Sequence, residues 1–293
     1  MTFINYSARI EQLLGCWKFP AEIGLVPGTL EPDPDNTGGG KMTKYNWLPA
    51  IPIAVILLLW QVLSVSGIVP PYMLPGPLRV IETFIADFPL LMKHLLFTMM
   101  EAMIGLAIAV SSAYVLAVAM DSNRFVKQSI TPVLLLTQTM PVIAIAPLLI
   151  LWMGYGIAPK ITLVFLTCFF PLTISLLGAF ASADNDTLRL LQSMGAKKWQ
   201  LYRYVKIPQG LPAFFSGLKI AASYSIIGAV VAEWLGGDAG LGVYMIRVRR
   251  SYSFDKMFAV IILVSVLSLA LIGLVGLLEK KSIPWRKGMG SRD

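Results

Sequence analysis

The search for chemistry in these 293 residues is short. His94 is the single histidine, so neither a histidine metal site nor a Ser-His pair can be assembled. Cys16 and Cys168 have no metal or disulfide spacing and read as buried bystanders. Gly38-Gly39-Gly40-Lys41 is followed by Met42 and has Asp35 where a phosphate-binding loop needs its first glycine, so it fails as one. Paired catalytic carboxylates, a zinc signature and a G-x-S-x-G turn are all missing. What remains is polar residues set in apolar surroundings, Glu101, Gln138 and Glu233, and one basic stretch from Asp184 to Pro212. Such groups can bind, line a path or transmit force; they do not make an enzyme.

The two glutamates end stripes of small residues. Glu101, Gly105, Ala109, Ala113 and Ala117 recur at steps of four, as do Gly217, Ala221, Ser225, Ala229 and Glu233. Steps of four fall along one helix face, and small residues let helix backbones approach closely in lipid. Packing seams are therefore expected. A carboxylate in a span faces a cavity or a partner, so Glu101 and Glu233 are candidates for lining a translocation pathway or for pairing with Arg247 or Arg249. Thr137, Gln138 and Thr139 are polar at membrane depth beside Met140-Pro141. They serve either interhelical hydrogen bonds or, through Gln138, the cavity itself.

The elements that position these residues are set by composition. The chain is 56% apolar and only 14% charged, with a mean hydropathy of +0.72. A soluble globule carries roughly a quarter charged residues, so lipid must solvate most of this surface. The net charge of +8 sits in short loops and tails and suits the inner leaflet better than nucleic acid. Six stretches are long enough to cross: Trp47 to Ser66, Leu95 to Met120, Ile130 to Met153, Ile161 to Ala181, Ala213 to Leu235 and Phe258 to Leu278. The third contains Pro132, Pro141 and Pro147 and is expected to kink. Leu78 to Phe88 is amphipathic and is expected to lie along the outer surface. Residues 1–41, which end in EPDPDNTGGG and lack signal-peptide organisation, are expected to be a disordered extension. The fold class is an all-α integral membrane protein of six transmembrane helices.

With both termini inside, the cytoplasmic segments carry about twice as many lysines and arginines as the outer ones, despite Arg247, Arg249 and Arg250 outside. The long loop is then cytoplasmic, between the fourth and fifth spans. It reads as two short helices. Asp184 or Asp186 caps the first, Gly195 supplies the positive φ of a sharp break, and Pro208 closes the second. Leu188, Leu191 and Met194 form an apolar edge on the first helix, Trp199 and Tyr202 on the second. So short a pair needs packing to hold it. It lies on lipid or docks as a knob in a groove of a soluble partner.

This loop resembles the coupling motif of permease subunits of bacterial binding-protein-dependent ABC importers: E-A-A, three residues, G, nine residues, I-x-L-P. Gly195 fits the glycine, and Val205-Lys206-Ile207-Pro208 stands where I-x-L-P belongs. Arg189, Leu190 and Leu191 replace E-A-A. The resemblance runs from about Lys44 to Trp285. It includes TQTMPVIAIAPLLILWMGYG, GLKIAASYSIIGAVVAEWLGG and AGLG, and is strongest to the nitrate/sulfonate/taurine-type branch, with hydroxymethylpyrimidine-type permeases nearest. Met42 begins a segment like an ordinary permease N-terminus.

The resemblance implies a permease domain over 42–285, a cytoplasmic tail over 286–293, and an inner-membrane protein with both termini cytoplasmic. It implies partners: a second copy of the chain, two ATPase subunits that bind the ATP, an extracytoplasmic binding protein and membrane lipid, but no nucleic acid. This chain would hold no cofactor. Arg189, Leu191, Gly195, Ala196, Trp199, Tyr202 and Pro208 would form the ATPase-coupling surface. The cargo would be a small polar solute, a thiamine precursor first, an aliphatic sulfonate, taurine, nitrate or riboflavin otherwise. A secondary transporter or channel without an ATPase is the rival from another class.

Overall fold

The computed structural model describes residues 50–67, 70 and 72–284; the segments 1–41 and 286–293 lie outside them. Every regular element among the described residues is a helix. In order these are α1 (Ala50–Val65), α2 (Pro77–Ala86), α3 (Phe88–Ser122), α4 (Arg124–Thr139), α5 (Val142–Met153), α6 (Ile157–Ala181), α7 (Asn185–Ser193) and α8 (Lys198–Leu201). A π turn at Tyr202–Lys206 then leads into α9 (Ile207–Trp234), followed by α10 (Leu241–Arg250) and α11 (Phe254–Ser282).

The core is built around α6, which packs against α3 on one side and α9 on the other. Both small-residue stripes are buried along their length. Side chains from α6 fill the space they leave. A Cβ built on Gly105 would stand 2.5 Å from Val164 Cγ1, and one on Gly217 2.4 Å from Ser175 Oγ. Gly228 and Gly210 meet Thr167 and Ala179 in the same way. Cys168, fully buried on α6, donates its thiol to the Ala221 carbonyl at 3.2 Å. In lipid there is little hydrophobic drive between helices, so close van der Waals contact of this kind is what holds them.

Four helical runs are long and apolar enough to cross a membrane: Phe88–Ser122, Ile157–Ala181, Lys198–Trp234 and Phe254–Ser282. The remaining expected spans are shorter. α1 has 16 residues and is exposed along most of its length. The expected kinked span Ile130 to Met153 is instead two helices, α4 and α5, meeting at 99°. Pro141 disfavours helical backbone at the preceding residue, and Met140 adopts φ −76°, ψ 125°. Thr137 and Thr139 do not bridge helices. Their hydroxyls donate to the Leu134 and Leu136 carbonyls of their own helix, both at 2.8 Å.

A second correction concerns Pro208, which ends nothing. Residues Lys198–Trp234 form one helical run of 37 residues. Inside an α-helix a proline removes a hydrogen bond and pushes on the carbonyl four residues back. Here the π turn widens the chain immediately before it, and the Ile207 N–H bonds to the Tyr202 carbonyl instead.

At the end of the bundle away from that turn, α2 packs on α11, with Val80 buried. Asp87, between α2 and α3, accepts from Tyr244 Oη at 2.6 Å and pairs with Lys256 Nζ at 2.8 Å. Partial burial raises the Asp87 carboxyl, but the Lys256 ammonium and Tyr244 hydroxyl outweigh it and hold the acid below its usual 3.8. A depressed folded value means stability present above pH 3.8 and lost as pH falls through the folded one.

Two outcomes follow for the purified chain in detergent. Gly105→Ala should lower the melting temperature by an amount equivalent to about 1–3 kcal/mol of overpacking. Gly273→Ala, with no atom within 4 Å of its Cβ, should not lower it. Lowering the pH below 3.8 should destabilise the wild type more steeply than Asp87→Asn, read as melting temperature against pH.

Candidate functional site

Three places collect the polar residues: the α7–α8 loop, a cleft beside α4, and a buried cluster at the far end of α9. In the loop, the Asp184 carboxylate accepts from the Asp186 and Thr187 N–H groups at 3.1 and 3.2 Å and starts α7. The Thr187 hydroxyl first, then those amides, hold the acid below its usual range. α7 closes as a Schellman turn. The Gly195 N–H reaches the Gln192 carbonyl and the Ala196 N–H the Leu191 carbonyl, both at 3.0 Å. Gly195 has φ +81° and nothing within 4 Å of a built Cβ, so backbone conformation alone requires glycine there. The Lys197 N–H then bonds to Gln200 Oε1 at 2.7 Å and opens α8.

The loop presents an apolar surface different in detail from the one expected. Met194 is 75% and Trp199 66% exposed, with Leu190 and Tyr204 beside them in exposure. Arg189 is exposed, while Leu188, Leu191 and Ala196 are half-buried. Tyr202 does not join the exposed edge. Its hydroxyl bonds to Asp121 at the end of α3, and its ring meets Phe180 edge-on at 5.8 Å. Tyr202 is turned in by contacts with Asp121 and Phe180, residues distant in sequence that periodicity alone does not reveal.

Gln138 lies on a cleft of about 370 Å³ whose walls include Thr137, Ile143, Thr167, Phe170 and Tyr224. No Asp, Glu, Lys, Arg or His lines it. The 99° bend between α4 and α5 leaves this space open beside α6 and α9.

Glu101 and Glu233 are buried within the single chain, 3% and 1% exposed. Their partners are not Arg247 or Arg249. Lys160 Nζ, at the start of α6, donates to Glu101 Oε1 at 2.8 Å; Glu101 Oε2 has no hydrogen-bond partner. Glu233 accepts from the Thr98 hydroxyl at 2.7 Å and from the Gly242 N–H at 2.6 Å. The Leu241 N–H donates to Thr98 Oγ1 at 2.9 Å and the Gly240 N–H to His94 Nδ1 at 3.0 Å. The free amides that open α10 are thus satisfied by residues of α3 and α9, a carboxylate among them, where the helix dipole favours negative charge. A Cβ on Gly240 would come 2.1 Å from the Glu233 carboxyl carbon, which explains the first glycine of AGLG. α10 itself escaped the sequence reading. Its signal was there in Leu241, Tyr244, Met245 and Val248, buried at helical spacing.

The all-helical fold with its long apolar runs is that of a membrane-embedded transport permease. The chain belongs to the family of binding-protein-dependent transport system inner membrane components, whose model matches residues 105–283. It is similar to the formylaminopyrimidine transport permease protein ThiX of Halalkalibacterium halodurans, 34% identical over 240 residues, 82% of this chain and 96% of that one. It is also similar to the riboflavin transport system permease protein RibX of Chloroflexus aurantiacus, 33% identical over 251 residues, 83% and 93% of the two chains. A crystal structure of an amino acid ABC transporter shares the fold, with a TM-score of 0.57 over 68% of this chain and 96% of that one at 17% identity.

Breaking the buried pair from one side should cost far more than removing both charges. Glu101→Leu alone strands the Lys160 ammonium and should destabilise by roughly 3–5 kcal/mol. Glu101→Leu with Lys160→Met should recover most of the loss in a thermal double-mutant cycle.

Proposed function

We propose that this chain is the permease subunit of an ATP-driven importer, acting as a homodimer above two cytoplasmic ATPase subunits. An extracytoplasmic binding protein hands it a small polar solute. Both termini and the α7–α8 loop face the cytoplasm, in keeping with the Lys and Arg bias. ATP is bound by the partner subunits and this chain holds no cofactor. The observation that carries the reading is the loop itself. A helix, a glycine in the left-handed region and a second helix present Met194 and Trp199 to the outside, at the spacing of the coupling motif. A short helical knob with exposed apolar residues suits a groove on a soluble partner. Arg189 in the acidic position leaves the contact to rest on shape and apolar burial.

ATP-driven closure of the ATPases would move this knob, and α9, continuous with α8, would carry the motion into the membrane. Gln138 and its cleft are the part of the pathway within one chain, completed by the second copy. Glu101 and Glu233 serve it indirectly, by holding α3, α6, α9 and α10 in register. A thiamine pyrimidine precursor is the first choice of cargo, supported by the formylaminopyrimidine relative; riboflavin is the second, supported by a relative of nearly equal identity. Aliphatic sulfonate, taurine and nitrate follow. Direct binding measurements on the binding protein that delivers to this permease decide among them.

Gly195→Val places a β-branched residue at φ +81°, at a cost of roughly 1–3 kcal/mol. The variant should still assemble with the ATPase but lose the stimulation of ATP hydrolysis by loaded binding protein. Full stimulation, or a wild-type chain that never co-purifies with an ATP-hydrolysing subunit, would sink this reading.

A further inference from the structure

Side chains from three parts of the chain meet at the last turn of α3. Asp121 Oδ2 accepts from the Tyr202 hydroxyl and from Lys206 Nζ, the latter at 2.5 Å. The Tyr202 hydroxyl also lies 2.9 Å from Ser122 Oγ. Lys206 Nζ stands 5.1 Å from the centroid of the Tyr202 ring, which also meets Phe180 of α6 edge-on. The Asp121 and Lys206 side chains are only 15% and 18% exposed, so the pair is shielded from water.

The placement of the two donors matters more than their number. Tyr202 and Lys206 are the first and last residues of the π turn. The π turn interrupts the α-helical hydrogen-bond ladder of the run from Lys198 to Trp234, and Pro208 just beyond it supplies no N–H to that ladder. It is therefore a place where the run can bend. One carboxylate, on a different helix, ties down both of its ends.

We infer that Asp121 is a positioning residue for coupling, a brace across the π turn that makes the loop drive α3 and α9 together. The inference rests on the proposed role of the loop. α9 follows the loop through the backbone, but α3 has no such connection at this end. Without the brace, displacement of α8 bends the π turn and is spent there. With it, the displacement reaches the inner ends of both helices that flank α6. Asp121 touches neither solute nor nucleotide in this account.

The test uses the full chain in lipid nanodiscs, alone and with its ATPase. In the chain alone, Asp121→Asn should speed amide exchange at Arg203 to Ile207 by about tenfold, the loss expected for a hydrogen bond to a charged group. Exchange in the α3–α6 seam, at Gly105 to Ala117, should stay as in the wild type. Asp121→Glu should restore protection, and Asp121→Ala, which removes the acceptor altogether, should speed exchange at least as much as Asp121→Asn. In the complex, the ratio of stimulated to basal ATP hydrolysis should fall by about fivefold or more in Asp121→Asn, at the low end of allosteric coupling strengths, with the amount of complex unchanged. Unaltered exchange at the π turn, or a full ratio in Asp121→Asn, overturns the brace. If the wild type never binds an ATPase, the importer reading fails, and the exchange measurement on the chain alone still decides whether the brace exists.

Discussion

Everything in this molecule depends on how closely α6 can approach its two neighbours. Val164, Thr167 and Ser175 occupy volume that a side chain at Gly105, Gly228 or Gly217 would need. Because lipid tails compete for apolar surface as well as any leucine does, a helix pair in the membrane is held by contact distance and by the few polar bonds it can make. The small-residue stripes of α3 and α9 supply the distance. They also fix the rotation of both helices about their axes, since only one face of each can be turned to α6. That rotation delivers Glu101 to Lys160 and Glu233 to the first amides of α10.

The polar groups then divide the bundle into two unlike ends. At one, Glu101, Lys160, Glu233, Thr98 and His94 are removed from solvent and spent on each other and on backbone amides. Such an arrangement resists displacement, because breaking any of these bonds adds an unpaired buried group to the one already present at Glu101 Oε2. At the other, Asp121 gathers Tyr202 and Lys206 around the widest turn of the backbone, and the apolar side chains of the loop stand exposed. One end holds register; the other leaves its apolar loop open to solvent. The cleft at Gln138 lies along the same helices, where the α4–α5 bend opens the wall.

Much of this was legible from residue types. Long apolar runs predicted the four continuous spans, and steps of four predicted the seams, because both follow from helix geometry and lipid solvation alone. The break at Gly195 was legible too, since few residues accept positive φ. Other features depend on contacts distant in sequence. Lys160 is separated from Glu101 by 59 positions and Tyr202 from Asp121 by 81, and no local pattern announces either pair. Pro208 was misread for a subtler reason. A proline strains an α-helix without always ending it, as Pro132, Pro147, Pro171 and Pro212 show inside theirs, and at Pro208 the π turn just before it relieves the conflict further. Pro141 shows the opposite outcome: Met140 takes an extended backbone and the helix stops there.

The run from Lys198 to Trp234 has a consequence in simple length. At about 1.5 Å per residue, its 37 residues extend for roughly 55 Å, while the hydrocarbon core is about 30 Å thick. With its Glu233 end packed among spans, the opposite end stands well clear of the acyl chains. Trp199 and its neighbours are thus held beyond the acyl chains on a stalk whose only departures from a regular helical ladder are the π turn, Pro208 and Pro212. Reach and stiffness come from the same stretch of backbone, and shortening the first would compromise the second.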